Sequence, residues 1–370
     1  MVSSEAPSTT SGGAEKFYLE LSKKLIAHKC NVAIALGNAH SDFQKIRFYR
    51  ILKRDNKYLR KIFFDYFFPR NIRKLKEIID DFKPDIIHFH NIYGISSQLI
   101  NYVSKKLPTL VTVHDFWPIC YHSGLTINGE ICNLKCRKCT FPLALLSRKI
   151  RKKHLSKTLL IAPSEFLKEK FIASGFKNIK LIPNGVDIPK HIAPINKRLI
   201  YVGRLTKLKG IEKLLKALDD SKYPIDIYGE GPLKGILQEK YHNYSNIRFH
   251  GYWKNMGEVY KKGGILLFYS LMAENLPYVL IEAMAFGLPI IARNFGTVNQ
   301  ILTADQTALL FEIEKPNDLL TKIELLMKNE KLYLKLRNNA REVAVMKYDW
   351  KIILKEYLKT YDNLIKKKSN

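Results

Sequence analysis

The sequence predicts an α/β protein built from two doubly wound, Rossmann-like domains that face a central cleft. Short apolar runs alternate with amphipathic helical stretches over almost the whole chain, and that alternation gives parallel sheets covered on both faces. The length of 370 residues fits two domains at roughly 100–200 residues each. Midway, Pro183–Lys197 carries Pro, Gly and Asn without a periodic pattern, as a connecting segment does. Sheets of this kind bind ligands outside the carboxyl ends of their strands. The chemistry therefore belongs to loops that follow strands.

In chain order, the beginning is irregular. A helix at Ala14–Ala27 needs a buried strand before it, yet only Met1–Glu5 precede the loop Ala6–Gly13. The expectation is a start that is truncated or placed too late; the alternative is a first strand supplied by Val2 and its neighbours. Asn31–Leu36, Ile86–His90, Leu110–His114, Leu159–Ala162 and Ile179–Ile182 read as strands, with a helix at Asn71–Phe82. The second half repeats the scheme. Leu199–Gly203, Ile225–Tyr228, Ile247–Gly251, Ile265–Tyr269, Pro289–Ala292 and Ala308–Phe311 are strands, and helices start near Ile211, Pro232, Asn255 and Pro277. From Pro316 onward the pattern is helical, ending with Trp350–Lys368. The expected domains are residues 1–183, residues 184–345, and a C-terminal helix over 346–370 that packs back on the first domain.

Hydrophobic residues make up 46% and charged residues 26%, which fits a chain with a sizeable core and excludes disorder and fibrous repeats. The best apolar run, Ile265–Leu271, is far short of the ~18 residues needed to cross a bilayer. The N-terminus lacks the basic and apolar regions of a signal peptide, so the expected location is the cytoplasm. Charge is the unusual quantity: 62 Lys and Arg face 34 Asp and Glu, a net of +28. Residues 1–183 carry 32 basic and 14 acidic side chains, so +18 of that excess lies in the first half. Such a chain attracts nucleic acid, anionic lipid or phosphorylated substrates.

The segment Ala273-Glu-Asn-Leu-Pro-Tyr-Val-Leu-Ile-Glu-Ala-Met-Ala-Phe-Gly-Leu-Pro289 follows a strand. Glu274 lies in the loop, Pro277 suits the first turn of a helix, and Glu282 falls about 1.5 turns further on at ~3.6 residues per turn. Two carboxylates in that arrangement can accept hydrogen bonds from hydroxyls of one extended ligand, with Asn275, Leu276 and Pro277 between them. The helix N-terminus offers unpaired N–H groups to an anion. The plain alternative is a helix-start acid and a solvated surface glutamate. Tyr201-Val-Gly-Arg-Leu-Thr-Lys-Leu-Lys-Gly210 follows another strand. Gly203 permits close backbone approach, and Arg204 and Lys209 supply a guanidinium fork and an ammonium suited to a diphosphate. Gly12 and Gly13 precede a helix and can bring backbone N–H groups against phosphate or sugar oxygens, although a Gly pair often marks only a turn. His114 and Asp115 end a strand at the cleft edge, where a histidine serves either structure or function.

As an ordered set, Gly12-Gly13, His114-Asp115, Ile182-Pro-Asn-Gly-Val-Asp187, Arg204…Lys209 and Glu274-x7-Glu282 resemble the retaining glycosyltransferases of family 4, over essentially the whole chain. The resemblance implies the GT-B architecture. It also implies an acceptor held by the N-terminal domain and a nucleotide-diphosphate-sugar donor held by the C-terminal one. Arg204 and Lys209 would bind the donor diphosphate, and Glu282 the ribose hydroxyls. Glu274 would face the transferred sugar, with the backbone of Asn275–Pro277 holding its hydroxyls. Gly13 would touch the phosphates, His114 would line the sugar pocket, and Gly251-Tyr252 matches the region that meets the base. The family transfers with retention and without a covalent nucleophile. No divalent metal is implied, and no Asp-x-Asp triplet occurs. A phosphorylase or a sugar-nucleotide epimerase on the same fold is the alternative enzyme. A basic lipid- or RNA-binding protein on an inactive scaffold is the non-enzyme alternative.

Two further features stand beside this reading. Cys120, Cys132, Cys136 and Cys139 cluster within twenty residues, and four thiolates can close a tetrahedral structural zinc site. Free thiols, or disulfides formed on isolation, remain open as alternatives. Cys30 stands alone before a strand and reads as a core residue. Lys45–Lys76 carries twelve Lys or Arg, two Asp and eight aromatics, and Arg148-Lys-Ile-Arg-Lys-Lys-His154 adds more charge. Rings interleaved with cations suit an anionic membrane interface. A solvated helix whose aromatics face the core is the plain alternative. Nucleic acid has no zinc-finger, KH or RRM signature to support it. The expected enzyme is thus peripherally bound to the inner face of the cell membrane, with a lipid-linked or envelope-glycan acceptor.

Overall fold

The structure is a computed structural model. It describes residues 1–3, 12–37, 46–51, 69–91, 96–120, 124–127, 130–132, 142–219 and 221–369. The chain divides into two compact units, Met1–Asn184 with Ile353–Asn370, and Gly185–Ile352.

The first unit opens with β1 (Val2–Ser3), a two-residue strand that pairs in parallel with β2 and β4, Val2 standing opposite Ala35 and Phe89. Val2 and its neighbour thus provide the first strand. Helix α1 (Gly13–Ala27) follows and buries Phe17, Tyr18, Leu21 and Leu25. Then come β2 (Ala33–Leu36), β3 (Arg47–Arg50), α2 (Pro69–Phe82), β4 (Ile87–Phe89), α3 (Gln98–Ser104) and β5 (Thr109–Thr112). A small antiparallel hairpin, β6 (Thr126–Ile127) with β7 (Glu130–Ile131), leads to α4 (Pro142–Leu155), β8 (Leu159–Ala162), α5 (Glu165–Ala173) and β9 (Ile179–Leu181). The seven-stranded sheet runs in the order β3-β2-β1-β4-β5-β8-β9. Its strands pair in parallel. Strands β2, β4 and β5 are buried at every position, as parallel sheets with two covered faces require.

Strand β3 corrects the sequence reading. Arg47-Phe-Tyr-Arg50, assigned to a basic aromatic stretch, forms the edge of this sheet, with both arginines exposed and Phe48 and Tyr49 half-buried. Tyr49 donates to Asp81 on α2, and Arg47 lies 3.5 Å from the same carboxylate. The core of the stretch, residues 52–68, lies outside the described residues.

The second unit comprises β10 (Leu199–Val202), α6 (Ile211–Ala217), β11 (Ile225–Tyr228), α7 (Lys234–Lys240), β12 (Ile247–Gly251), α8 (Met256–Tyr260), β13 (Ile265–Phe268), α9 (Tyr278–Phe286), β14 (Ile290–Arg293), α10 (Val298–Ile301), β15 (Leu309–Phe311), α11 (Asp318–Lys328) and α12 (Glu330–Tyr348). Its parallel sheet is ordered β12-β11-β10-β13-β14-β15. Leu199, Ile225, Ile265, Ile291 and Leu309 build one continuous core with residues of α6, α11 and α12. The last helix, α13 (Trp350–Ser369), starts in this unit and continues in the first from Ile353. Among the described residues, no helix is long and apolar enough to cross a membrane.

Candidate active site

In the second unit the chain moves outward from β10 to β11 and β12, then returns to place β13 on the other side of β10. The crevice outside the carboxyl ends of β10 and β13 is the topological switch point, where doubly wound sheets bind ligands. The two loops that border it are the ones singled out in the sequence.

The loop after β10 runs from Gly203 through an exposed Arg204 to a 3-10 turn at Lys207–Lys209. It closes at Gly210, whose φ of 72° is left-handed. A Cβ there would strike the Tyr269 carbonyl oxygen, so the close approach of the two loops demands glycine. The Leu271 N–H donates to the Leu208 carbonyl at 2.8 Å and ties the loops together. Beneath them the buried Tyr201 hydroxyl lies 3.4 Å from the Arg204 carbonyl oxygen and 3.3 Å from that of Lys209. Burial, and secondarily the Glu274 charge, holds that phenol above its ordinary pKa.

In the loop after β13, Glu274 receives the Lys209 ammonium. The buried Ser270 hydroxyl donates to the same carboxylate oxygen at 2.7 Å. Arg293, also buried, donates to the Ser270 carbonyl at 3.2 Å. Pro277 is the N-cap of α9 (φ −64°, ψ 118°), where a fixed φ and a missing N–H suit a helix entry. Glu282 sits in an otherwise apolar helix, with Tyr278, Leu280, Ile281, Ala283, Met284 and Ala285 buried around it. It stays half-buried, its carboxylate 3.5 Å from the Tyr260 hydroxyl. Burial first, then this carboxylate, pushes the Tyr260 phenol well up.

Two strands away, Gly251 ends β12 with φ 70°. The Tyr252 N–H donates to Glu230 at 3.2 Å, and Tyr252 is 45% exposed. Beside it Tyr228 stacks on His250 at 4.5 Å, and Trp253 meets Tyr228 edge-on. Gly203, Arg204, Lys209, Glu274, Asn275, Leu276, Pro277, Glu282 and Tyr252 therefore all lie at carboxyl ends of one sheet, with Tyr252 toward its edge. Sequence reasoning missed Ser270, Glu230 and Tyr260. Ser270 had a signal, since it stands just after β13; Glu230 lies between the two glycines that follow β11. Tyr260, on a short helix, had none.

The remaining candidates belong to the first unit. The Gly12 N–H donates to the buried Glu15 carboxylate at 2.9 Å, which closes the start of α1. His114 follows β5, half-buried, with its Nε2 3.2 Å from His90 Nδ1. Burial lowers the His114 pKa to about 3, so the imidazole is neutral near pH 7. Burial pushes Asp115 up to about 6; the Trp117 N–H and Arg151 pull the other way, and Glu15 adds to the rise. A cavity of about 20 Å³, bordered by His90, Asn91, His114, Asp115 and Leu155, opens beside these groups. Cys120 is buried and Cys132 half-buried, while Cys136 and Cys139 lie outside the described residues. Among the described residues, no three His, Cys, Asp or Glu are grouped to hold a metal ion.

The model of Glycosyltransferase Family 4 matches residues 11–190, and that of Glycosyl transferases group 1 matches residues 189–343. An uncharacterized glycosyltransferase of Methanocaldococcus jannaschii is 29% identical over 169 residues, spanning 45% of this chain and 48% of its own. Another, of Haemophilus influenzae, is 27% identical over 348 residues, 90% of this chain and 91% of its own. Anabaena Alr3699/HepE, solved in complex with UDP and glucose, superposes with a TM-score of 0.72 at 15% identity over 98% of each chain. With two Rossmann-like units, and these two family models together matching residues 11–343, the chain is a glycosyltransferase of GT-B fold, related to the family 4 and group 1 enzymes.

Proposed function

We propose that this enzyme transfers a hexosyl group, with retention, from a nucleotide-diphosphate sugar to a lipid-linked or envelope-glycan acceptor at an anionic membrane surface on the cytoplasmic side, without a catalytic metal. The observation that carries the reading is the convergence of Arg204, Lys209, Glu274 and the α9 N-terminus at the switch point of one sheet. A structural relative that binds UDP and glucose supports the same donor class.

The chemistry follows from the charges. The bond between the sugar C1 and the diphosphate oxygen breaks, and the acceptor hydroxyl oxygen bonds to C1 on the same face. The acceptor's proton passes to the departing diphosphate. Negative charge grows on that diphosphate, and fixed donors aimed at it are the largest source of rate enhancement in such sites. Arg204 and Lys209 provide the cations, and the first-turn N–H groups of α9 add their partial positive charge. Glu274, fixed by Lys209 and Ser270, would hold sugar hydroxyls, and Glu282 the ribose. Neutral His114 would act in the sugar pocket as a hydrogen-bonding group and not as a cation. Four thiolates including Cys120 and Cys132 would serve structure, since a closed four-ligand site leaves no open position.

A panel of nucleotide-diphosphate sugars tests the donor: one should raise the melting temperature and be slowly hydrolysed. The anomeric configuration of product, read by NMR, should equal that of donor, and a chelator should leave the rate unchanged. Turnover of a glycoside with inorganic phosphate would instead make the protein a phosphorylase.

A further inference from the structure

Helix α4 has two unlike faces. Ser147, Ile150, Arg151 and Leu155 are buried. Arg151 donates to the Trp117 carbonyl at 2.7 Å with its guanidinium over the Trp117 ring, and His154 Nδ1 lies 2.8 Å from Ser97 Oγ. The other face is open. Leu145 is 50% exposed and Leu146 44%. Lys149, Lys152 and Lys153 continue this exposed face toward the C-terminus, and Lys157 extends it just beyond the helix. Residues 145, 149, 152 and 156 are spaced as one helical stripe, and 146, 149, 153 and 157 as its neighbour. From Ile131 to Ser164 the chain has nine Lys or Arg and no Asp or Glu.

We infer that this face of α4 is where the enzyme docks on an anionic bilayer, Leu145 and Leu146 entering the acyl boundary and Lys149, Lys152, Lys153 and Lys157 meeting lipid phosphates. The inference rests on the membrane reading above and says which surface performs it. An acid-free row of lysines complements a negative leaflet, and lysine stems lie along the apolar boundary while their ammonium groups stay in water. Adjacent exposed leucines have no role against a nucleic acid backbone, which calls for cations and stacking aromatics. The basic aromatic stretch is the weaker candidate within its described part, because Arg47 and Tyr49 are engaged with Asp81. The position of α4 also has a consequence. Arg151 and Leu155 join it to the loop that carries His114, Asp115 and Trp117. A docked α4 therefore holds that loop near the headgroups, where a lipid-linked acceptor presents its sugar.

Flotation with vesicles of phosphatidylcholine alone, or with one-third phosphatidylglycerol, tests the proposal. Wild-type protein should float only with the anionic vesicles, and less as salt rises. Each lysine near such a surface is worth about fivefold in binding. The quadruple variant Lys149→Gln, Lys152→Gln, Lys153→Gln, Lys157→Gln should lose at least tenfold, and so should Leu145→Gln with Leu146→Gln. All these side chains are exposed, so melting temperatures and activity on a water-soluble acceptor should stay at wild-type values. In Leu145→Trp the indole emission should shift to the blue on adding anionic vesicles. If wild type and both α4 variants float equally, docking lies elsewhere and the membrane reading stands without α4. If wild type floats with neither vesicle, the membrane reading falls and this proposal with it. Loss of single-stranded RNA binding in the lysine variant alone, with no vesicle binding by wild type, would make the face an RNA surface and overturn the proposal.

Discussion

Lys209 and Glu274 hold one another, and that pairing sets what each variant should do. A diphosphate arriving at Arg204 and Lys209 gains charged hydrogen bonds, each worth about 1.5–3 kcal/mol. Arg204→Ala and Lys209→Ala should each reduce transfer at least tenfold while circular dichroism is unchanged; near-normal rates in both would remove the diphosphate assignment. Glu282→Gln should weaken nucleoside-diphosphate affinity in calorimetric titration, whereas Glu274→Gln should slow transfer with affinity kept. The opposite pattern would exchange their roles. Asp115 gives a pH prediction. Its pKa rises from 3.8 to about 6 on folding, through burial, so between those values the folded state holds the proton more tightly. Its contribution favours folding below about pH 4 and is lost as pH rises through 6, the reverse of a salt-bridged carboxylate. Asp115→Asn should therefore stabilise the protein at pH 7 by about 1–3 kcal/mol and flatten the profile between pH 4 and 6. Equal denaturant midpoints for both proteins across that range would contradict it.

At the scale of elements, glycines separate turns that require them from helices that merely tolerate them. Gly210 has φ 72° and a carbonyl oxygen where its Cβ would be. Gly210→Ala should destabilise the second unit by about 1–3 kcal/mol and lower donor affinity, since it parts the two loops of the switch point. Gly235 lies inside α7, where an added Cβ would meet nothing within 4 Å. Gly235→Ala should raise stability by about 0.5–1 kcal/mol; a lower melting temperature would refute it. The same contrast explains how far the sequence was legible. Inner strands such as Ala33–Leu36 and Ile265–Phe268 are apolar and fully buried, so composition alone located them. Arg47–Arg50 was not read as a strand because an edge strand exposes charge and has no apolar run, which is how edges resist pairing with other chains. Arg204, Lys209 and Glu274 in their loops, and Glu282 in α9, stood out as candidates because each lies just past a recognisable strand or helix start. Ser270 and Tyr260 act through contacts that only the folded chain creates.

At the scale of the molecule, the C-terminal helix completes a unit whose other residues lie far earlier in the chain. From Ile353 onward α13 belongs with Met1–Asn184. Tyr361 is buried with its hydroxyl 2.8 Å from His88 Nδ1, and Tyr357 is buried 3.3 Å from the Thr112 hydroxyl. His88 Nε2 in turn lies 2.7 Å from Thr112 Oγ1, so β4, β5 and α13 share one buried polar network. Burial holds His88 well below its ordinary pKa, and a neutral ring needs a partner at both nitrogens. Leaving one buried group unpaired costs about 1–3 kcal/mol, and Tyr361→Phe should destabilise by that amount. Ending the chain after Ile352 should do more, because it uncovers both tyrosine sites and the apolar groups around them. Calorimetry of the shortened chain should show the first unit's transition lowered or lost, while a nucleoside diphosphate still shifts the transition of the second. An unchanged thermogram would show that α13 is dispensable to the first unit, and the network would then be a consequence of packing and not a cause of it.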